Sequence, residues 1–175
     1  CVPNFSEGRK LDTIQAITSS ILSTKNVKLL NVEPDKDYNR TVVTFVGEPS
    51  CVKEAAFKAI SKASELIDMS RQKGEHPRIG ATDVCPLIPV SNVTMDECVQ
   101  LADALGRDVG ERLGIPVYLY ESAARSAERK NLENIRQGEY EGLKRRLKEW
   151  KPDYGPAEYD DRIKKSGATV IGARF

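Results

Sequence analysis

One histidine stands in 175 residues, too few to complete the usual zinc patterns, and the four cysteines, Cys1, Cys51, Cys85 and Cys98, contain no C-x-x-C pair. Free thiols in a reducing compartment are expected, and no metal. No apolar run approaches the ~20 residues that a membrane span needs. Residues 1–10 lack the apolar segment of a secretory signal, so a cytoplasmic location is expected and the sequons at Asn4, Asn39 and Asn92 are expected to stay unmodified. Neither charge is in excess: 27 basic residues stand against 26 acidic ones, a balance that argues against a nucleic-acid partner. Neither G-x-x-x-x-G-K-[ST] nor G-x-G-x-x-G occurs, so a nucleotide phosphate cradle has no support. Internal repeats and low-complexity segments are absent as well.

What is present reads as one soluble domain over residues 1–175, with 39% hydrophobic and 30% charged residues. Both ends read as cut inside structure, since the chain opens on Cys1 and closes straight out of the run Ala168–Ile171, so a fragment of a longer protein is expected. Cys1–Asn4 reads as a strand, followed by a helix capped by Asp12 with Ile14, Ile17 and Ile21 on one face. Val27–Val32 and Arg40–Val46 read as strands, with Pro34–Asn39 as the turn between them. Val52, Ala55, Ala56, Ala59, Ile60, Ala63, Leu66 and Ile67 form a helical stripe facing a core. Val84–Val90 reads as a buried strand. Thr94-Met95-Asp96-Glu97 is a capping box opening another helix, and Pro116–Tyr120 is a strand. Asn131–Trp150 reads as a helix weakened at Gly138, with Lys144–Lys148 as a solvated face. A turn over Lys151–Pro156 and a last strand over Ala168–Phe175 follow.

The order β-α-β-β-α-β, then α-β, predicts an α+β fold. It is a ferredoxin-like antiparallel sheet with helices on one face and a C-terminal helix and strand extension. The bare face then awaits a ligand, a second domain, or both.

Chemistry concentrates in the loop Lys73-Gly74-Glu75-His76-Pro77-Arg78-Ile79-Gly80-Ala81-Thr82-Asp83. His76 is the only side chain whose unperturbed pKa lies near neutrality, which makes it the candidate acid/base. Arg71, Lys73 and Arg78 are candidates to hold carboxylates; Glu75 and Asp83 are candidates to orient the imidazole or raise its pKa. Gly74 and Gly80 leave room for backbone N–H groups to approach a substrate. These parts suit transfer of a carbon group between nitrogens of an anionic substrate; a plain surface loop is the competing reading. Asn39-Arg40 is either a ligand contact or a turn. Cys85 is either half of a Cys/His pair or a buried strand thiol. Tyr118 and Tyr120 share a strand face, for stacking on a flat ligand or for the core.

Several segments, taken in order, resemble the formiminotransferase domain: Cys1-Val2-Pro3-Asn4-Phe5-Ser6-Glu7-Gly8, Asn39-Arg40-Thr41-Val42, Leu66-Ile67-Asp68-Met69, Lys73-Gly74-Glu75-His76-Pro77-Arg78, Asp83-Val84-Cys85-Pro86, Pro116–Tyr120, Gly138-Glu139-Tyr140, Pro152–Pro156 and Gly167-Ala168-Thr169. The resemblance covers essentially the whole chain, but only the N-terminal subdomain of the family's transferase. It implies transfer of a formimino group between N-formimino-L-glutamate and tetrahydrofolate, late in histidine breakdown, with tetrahydrofolate as co-substrate. It also implies a C-terminal formiminotransferase subdomain whose sheet faces this one across the folate, a homo-oligomer, and a cyclodeaminase domain as a further possible partner. The family's catalytic histidine matches His76. Its folate-contacting stretch falls on Gly155, Pro156, Ala157, Glu158, Tyr159 and onward to Gly167. Within it Glu158, Asp160, Asp161, Arg162, Lys164 and Lys165 replace more neutral and aromatic residues. Glu33 stands where an aspartate is common, keeping a carboxylate toward the site. A non-catalytic module of the same fold, binding folate or a partner, is the alternative; an RNA-binding module lacks its aromatic signature.

Overall fold

The computed structural model describes residues 1–175 as a six-stranded mixed sheet. Its strand order is β2 (Val27–Asp35), β3 (Arg40–Gly47), β1 (Asn4–Phe5), β4 (Thr82–Leu87), β6 (Thr169–Ala173) and β5 (Val117–Glu121). The pairings from β2 through β4 are antiparallel, in an order consistent with the ferredoxin-like pattern. Those joining β4, β6 and β5 are parallel. The last strand is thus inserted between two earlier ones. The helices are α1 (Leu11–Leu22), α2 (Pro49–Leu66), α3 (Met95–Asp108), α4 (Leu132–Arg136), α5 (Leu143–Glu149) and α6 (Asp161–Ser166). None is long and apolar enough to cross a membrane.

Burial divides the sheet into two halves. In β3, Thr41, Val43 and Phe45 are buried while Arg40, Val42, Thr44 and Val46 are only half-buried, the alternation of a strand packed on one face. Every residue of β4 and β6 is buried, as parallel strands covered on both faces require. One core lies under α1, α2 and α3. There Ala55, Ala56, Ala59 and Ala63 are fully buried, and their small side chains bring α2 close to the sheet. A second core lies on the opposite face, where Val84, Tyr118, Tyr120 and Val170 meet Ile135, Leu143, Leu147 and Ile163. The α+β class is as expected. One-sided cover describes only the antiparallel half; the C-terminal extension adds a second layer over the parallel half. Tyr118 and Tyr120 accordingly join the core.

Local physics explains where elements differ from expectation. No side chain caps α1; the loop leading into it is held instead by Glu7, whose Oε1 accepts the N–H groups of Arg9 and Lys10 at 2.8 and 2.9 Å. Asp12 lies inside the first turn of α1. β2 runs on through Pro34, which an edge strand tolerates, whereas β4 stops at Leu87, short of the expected Val90. The capping box of α3 forms as read: Glu97 N–H donates to Thr94 Oγ1, and Glu97 Oε2 accepts from Thr94 N–H at 2.7 Å. The single helix expected over Asn131–Trp150 is two, α4 and α5. Gly138 and Glu139 take φ of 86° and 53°, and Tyr140 N–H donates to the Arg78 carbonyl at 2.8 Å rather than continuing a helix. The same tie docks this corner onto the His76 loop. The helix α6 was not anticipated; Asp160 caps it by accepting from Ile163 N–H at 2.9 Å.

Candidate active site

The loop between α2 and β4 is pinned on both sides of His76. Asn39, at φ 50° and buried, clamps it from the β2–β3 turn. Its Oδ1 accepts from Gly8 N–H at 2.9 Å and its Nδ2 donates to the Lys73 carbonyl at 2.8 Å. Gly74 passes so close to this turn that a Cβ there would lie 2.3 Å from the Tyr38 carbonyl. On the other side, Arg78 is buried and fully engaged. Its Nε donates to Gln72 Oε1 at 2.7 Å, and its two Nη groups donate to Glu139 and Glu141 at 2.8–3.1 Å.

Between these anchors the half-buried imidazole faces Arg40, at the start of β3. The contact between Arg40 Nη1 and His76 Nε2 is 2.6 Å. A guanidinium has no acceptor atom, so Nε2 is the acceptor and the ring proton sits on Nδ1. Burial first, then the positive charges of Arg40, Arg136 and Arg78, push His76 down from 6.5 to about 4; a hydrogen bond to the Pro77 carbonyl opposes them. The ring is therefore neutral at pH 7. The edge of the Tyr38 ring packs near it, with centroids 6.2 Å apart.

His76 opens onto a groove of about 360 Å³ where the open antiparallel half of the sheet meets α4, lined by Val84 and Pro86 of β4 and by Leu132 and Arg136 of α4. Three buried polar atoms among its lining residues have no partner: Arg40 Nε, Arg136 Nε and the Tyr120 hydroxyl. Buried polar groups are normally satisfied; these three atoms are shut off from solvent, while the guanidinium groups of Arg40, Arg136 and Arg174 along the lining give the groove a cationic character suited to an anionic ligand. Arg136 is already neutralised by Asp83, whose carboxylate also accepts from Ile79 N–H at 2.9 Å. Burial pushes the Asp83 carboxyl up, and the Arg136 charge opposes that shift.

The remaining candidates lie elsewhere. Arg71 and Lys73 line a separate polar depression of about 460 Å³ with Arg9, Lys10 and Glu7. Glu75 is exposed and its side chain makes no hydrogen bond to the imidazole, and Asp83 serves Arg136 instead. Glu33 is exposed on β2, opposite Val42 on the open face. Gly155 backs onto the Ile115 carbonyl, Tyr159 packs against the second core beneath Lys144, and Gly167 bridges Gly80. None of Gly155, Pro156, Ala157, Glu158, Tyr159 or Gly167 lines the groove. Cys85 faces the first core, and burial pushes its thiol up to about 12, so no Cys/His pair forms. No cluster of three or more His, Cys, Asp or Glu side chains is arranged to hold a metal. Reading the sequence did not single out Arg136 or Arg174. Arg136 sits two residues before the helix-breaking Gly138, the one local signal that the chain turns there.

A family model described as the formiminotransferase domain, N-terminal subdomain, matches residues 1–174. The chain belongs to that family. It is 52% identical over 176 residues to a formimidoyltransferase-cyclodeaminase of Dictyostelium discoideum, a match that covers 99% of this chain and 32% of the relative. It is 50% identical to a glutamate formimidoyltransferase of Thermoplasma acidophilum, covering 57% of that protein. To one of Streptococcus pyogenes serotype M1 it is 43% identical, covering 58%. The chain thus spans about a third of the two-function relative and rather more than half of the two shorter ones. In this formiminotransferase subdomain, the one histidine holds its Nε2 lone pair against Arg40 Nη1, on a groove lined by Arg40, Arg136 and Arg174.

Proposed function

We propose that this chain supplies the His76 side of an enzyme that moves a formimino group between N-formimino-L-glutamate and tetrahydrofolate, a step of histidine breakdown. The observation that carries the reading is the neutral imidazole, its Nε2 an acceptor, on a groove lined by three arginines, which suits carboxylates. The names of the relatives add formimino transfer. In the transfer, a folate nitrogen attacks the formimino carbon, a tetrahedral intermediate forms, and the bond from carbon to the glutamate nitrogen breaks. His76 takes the proton from the attacking nitrogen and returns it to the leaving one, a role that contributes ~10²–10⁴-fold. Arg40 and Arg136 meet the carboxylates, and Glu33 flanks the open face. Tetrahydrofolate lies along that face as co-substrate. Gly155, Pro156, Ala157, Glu158, Tyr159 and Gly167 contact the part of it that projects beyond the groove.

A C-terminal formiminotransferase subdomain covers the open face, in keeping with the shares of the relatives that this chain spans. A cyclodeaminase domain, a homo-oligomer and a cytoplasmic location belong to the same reading. No observation favours the non-catalytic module. The test is to supply the full-length protein with both substrates and follow formimino-tetrahydrofolate and glutamate. Product is expected from wild type, and from His76→Ala at a rate lower by ~10²–10⁴-fold. No transfer by the folded wild-type protein would reject the assignment.

A further inference from the structure

We propose that Arg40 is a carboxylate receptor that gates His76: a substrate carboxylate takes over the Nη1 donor, and Nε2 is released to accept a proton. This rests on the function proposed above but goes beyond it, because it makes the base available only when the anionic substrate is in place.

The case begins with charge pairing. Of the three arginines whose charge bears on the imidazole, Arg78 is matched by Glu139 and Glu141, and Arg136 by Asp83. Arg40 makes no ion pair. Its only hydrogen bond is to a neutral ring, and its buried Nε has no partner at all. A guanidinium held partly out of water without a counter-ion is unfavourable, and a carboxylate matches its fork in a bidentate manner. The same contact blocks the lone pair that catalysis needs. One ligand group therefore resolves both oddities.

The surroundings leave no other group to do this. Arg136 faces the ring from α4 and Arg78 from its own loop, both cations. Asp83 of β4 is hydrogen-bonded to Arg136 and reaches Arg40 only through its charge, and the Arg40 guanidinium lies 5.8 Å from the centre of the Tyr38 ring. Tyr38 offers a ring edge, Glu75 and Glu33 are exposed and unbonded to the imidazole, and Arg174 lies farther along the groove. A carboxylate on Arg40 neutralises the nearest cation, so the proton affinity of His76 rises on binding. The burial that also holds His76 low persists, so the rise is partial.

The probe is glutarate, the dicarboxylate skeleton of glutamate, which cannot transfer a carbon group. In the full-length protein the imidazole signal of His76 is assigned by its loss in His76→Gln and titrated by NMR. Saturating glutarate is expected to raise the wild-type midpoint by about one unit or more, roughly tenfold in proton affinity. Arg40→Gln is expected to start from a higher midpoint than wild type and to show no further rise with glutarate; Arg40→Lys is expected to restore part of the response. A wild-type midpoint unmoved by glutarate overturns the proposal whatever the variants do, as does a full response in Arg40→Gln. Formimino transfer is assayed in parallel. Transfer without the glutarate response rejects the gate and keeps the function; the response without transfer rejects the function and keeps the receptor.

Discussion

Asp83 at the start of β4 accepts a hydrogen bond from Arg136 at the end of α4, and this pair joins the sheet to the wall of the groove. The Asp83 side chain is 1% exposed and that of Arg136 16%. Replacing the acid with Asp83→Asn preserves an acceptor for Ile79 N–H but leaves a largely buried guanidinium without its counter-charge. Loss of one member of such a pair costs about 3–5 kcal/mol. Urea unfolding of the variant is expected to show a loss of this size; a change within about 0.5 kcal/mol, the range of ordinary surface substitutions, would show that the pair does not hold α4 in place.

Asn39 is a second anchor, with a separable backbone contribution. Asn39→Ala removes the acceptor for Gly8 N–H and the donor to the Lys73 carbonyl, and leaves a Cβ residue at φ 50°. The combined loss is about 2–4 kcal/mol, from two buried hydrogen bonds and the left-handed backbone. Asn39→Gly loses the same hydrogen bonds but relieves the backbone, so it is expected to be more stable than Asn39→Ala by about 1 kcal/mol. Equal stability of the two variants by thermal or urea unfolding would remove the backbone part of the explanation.

Local patterns were legible in the sequence and distant pairings were not. The stripe from Val52 to Ala63 and the box Thr94–Glu97 show directly in the chain, because the residues that interact are three or four apart; Leu66, expected on the same stripe, is exposed at the end of α2. The insertion of β6 between β4 and β5 depends on contacts that no local window contains. The same applies to the site. His76 stood out by its chemistry, and Arg40 by its place at a strand start. Arg78 read as a free cation because its partners Glu139 and Glu141 are 61 and 63 residues away. Arg136 meets the groove only because the chain breaks at Gly138 and α4 docks on the parallel half of the sheet.

Stability should also register His76. Its folded pKa of about 4 lies below the ordinary 6.5, so protons bind the unfolded chain more readily. Stability contributed by the neutral ring is complete above about pH 6.5 and declines as pH falls toward 4. Partial exposure of the ring softens the effect. His76→Gln is expected to show a flatter stability profile than wild type between these limits, measured by urea unfolding at successive pH values. Parallel profiles would mean that the imidazole is not held low in the folded protein.

The central claim is that His76 carries the proton in formimino transfer, and the most direct measurement is rescue of His76→Ala by free imidazole in the full-length protein. The variant alone is expected to lose ~10²–10⁴-fold in turnover while keeping its melting temperature. Added imidazole is expected to restore part of the rate, most strongly where imidazole is unprotonated. Wild-type turnover by His76→Ala in the absence of imidazole would contradict the account.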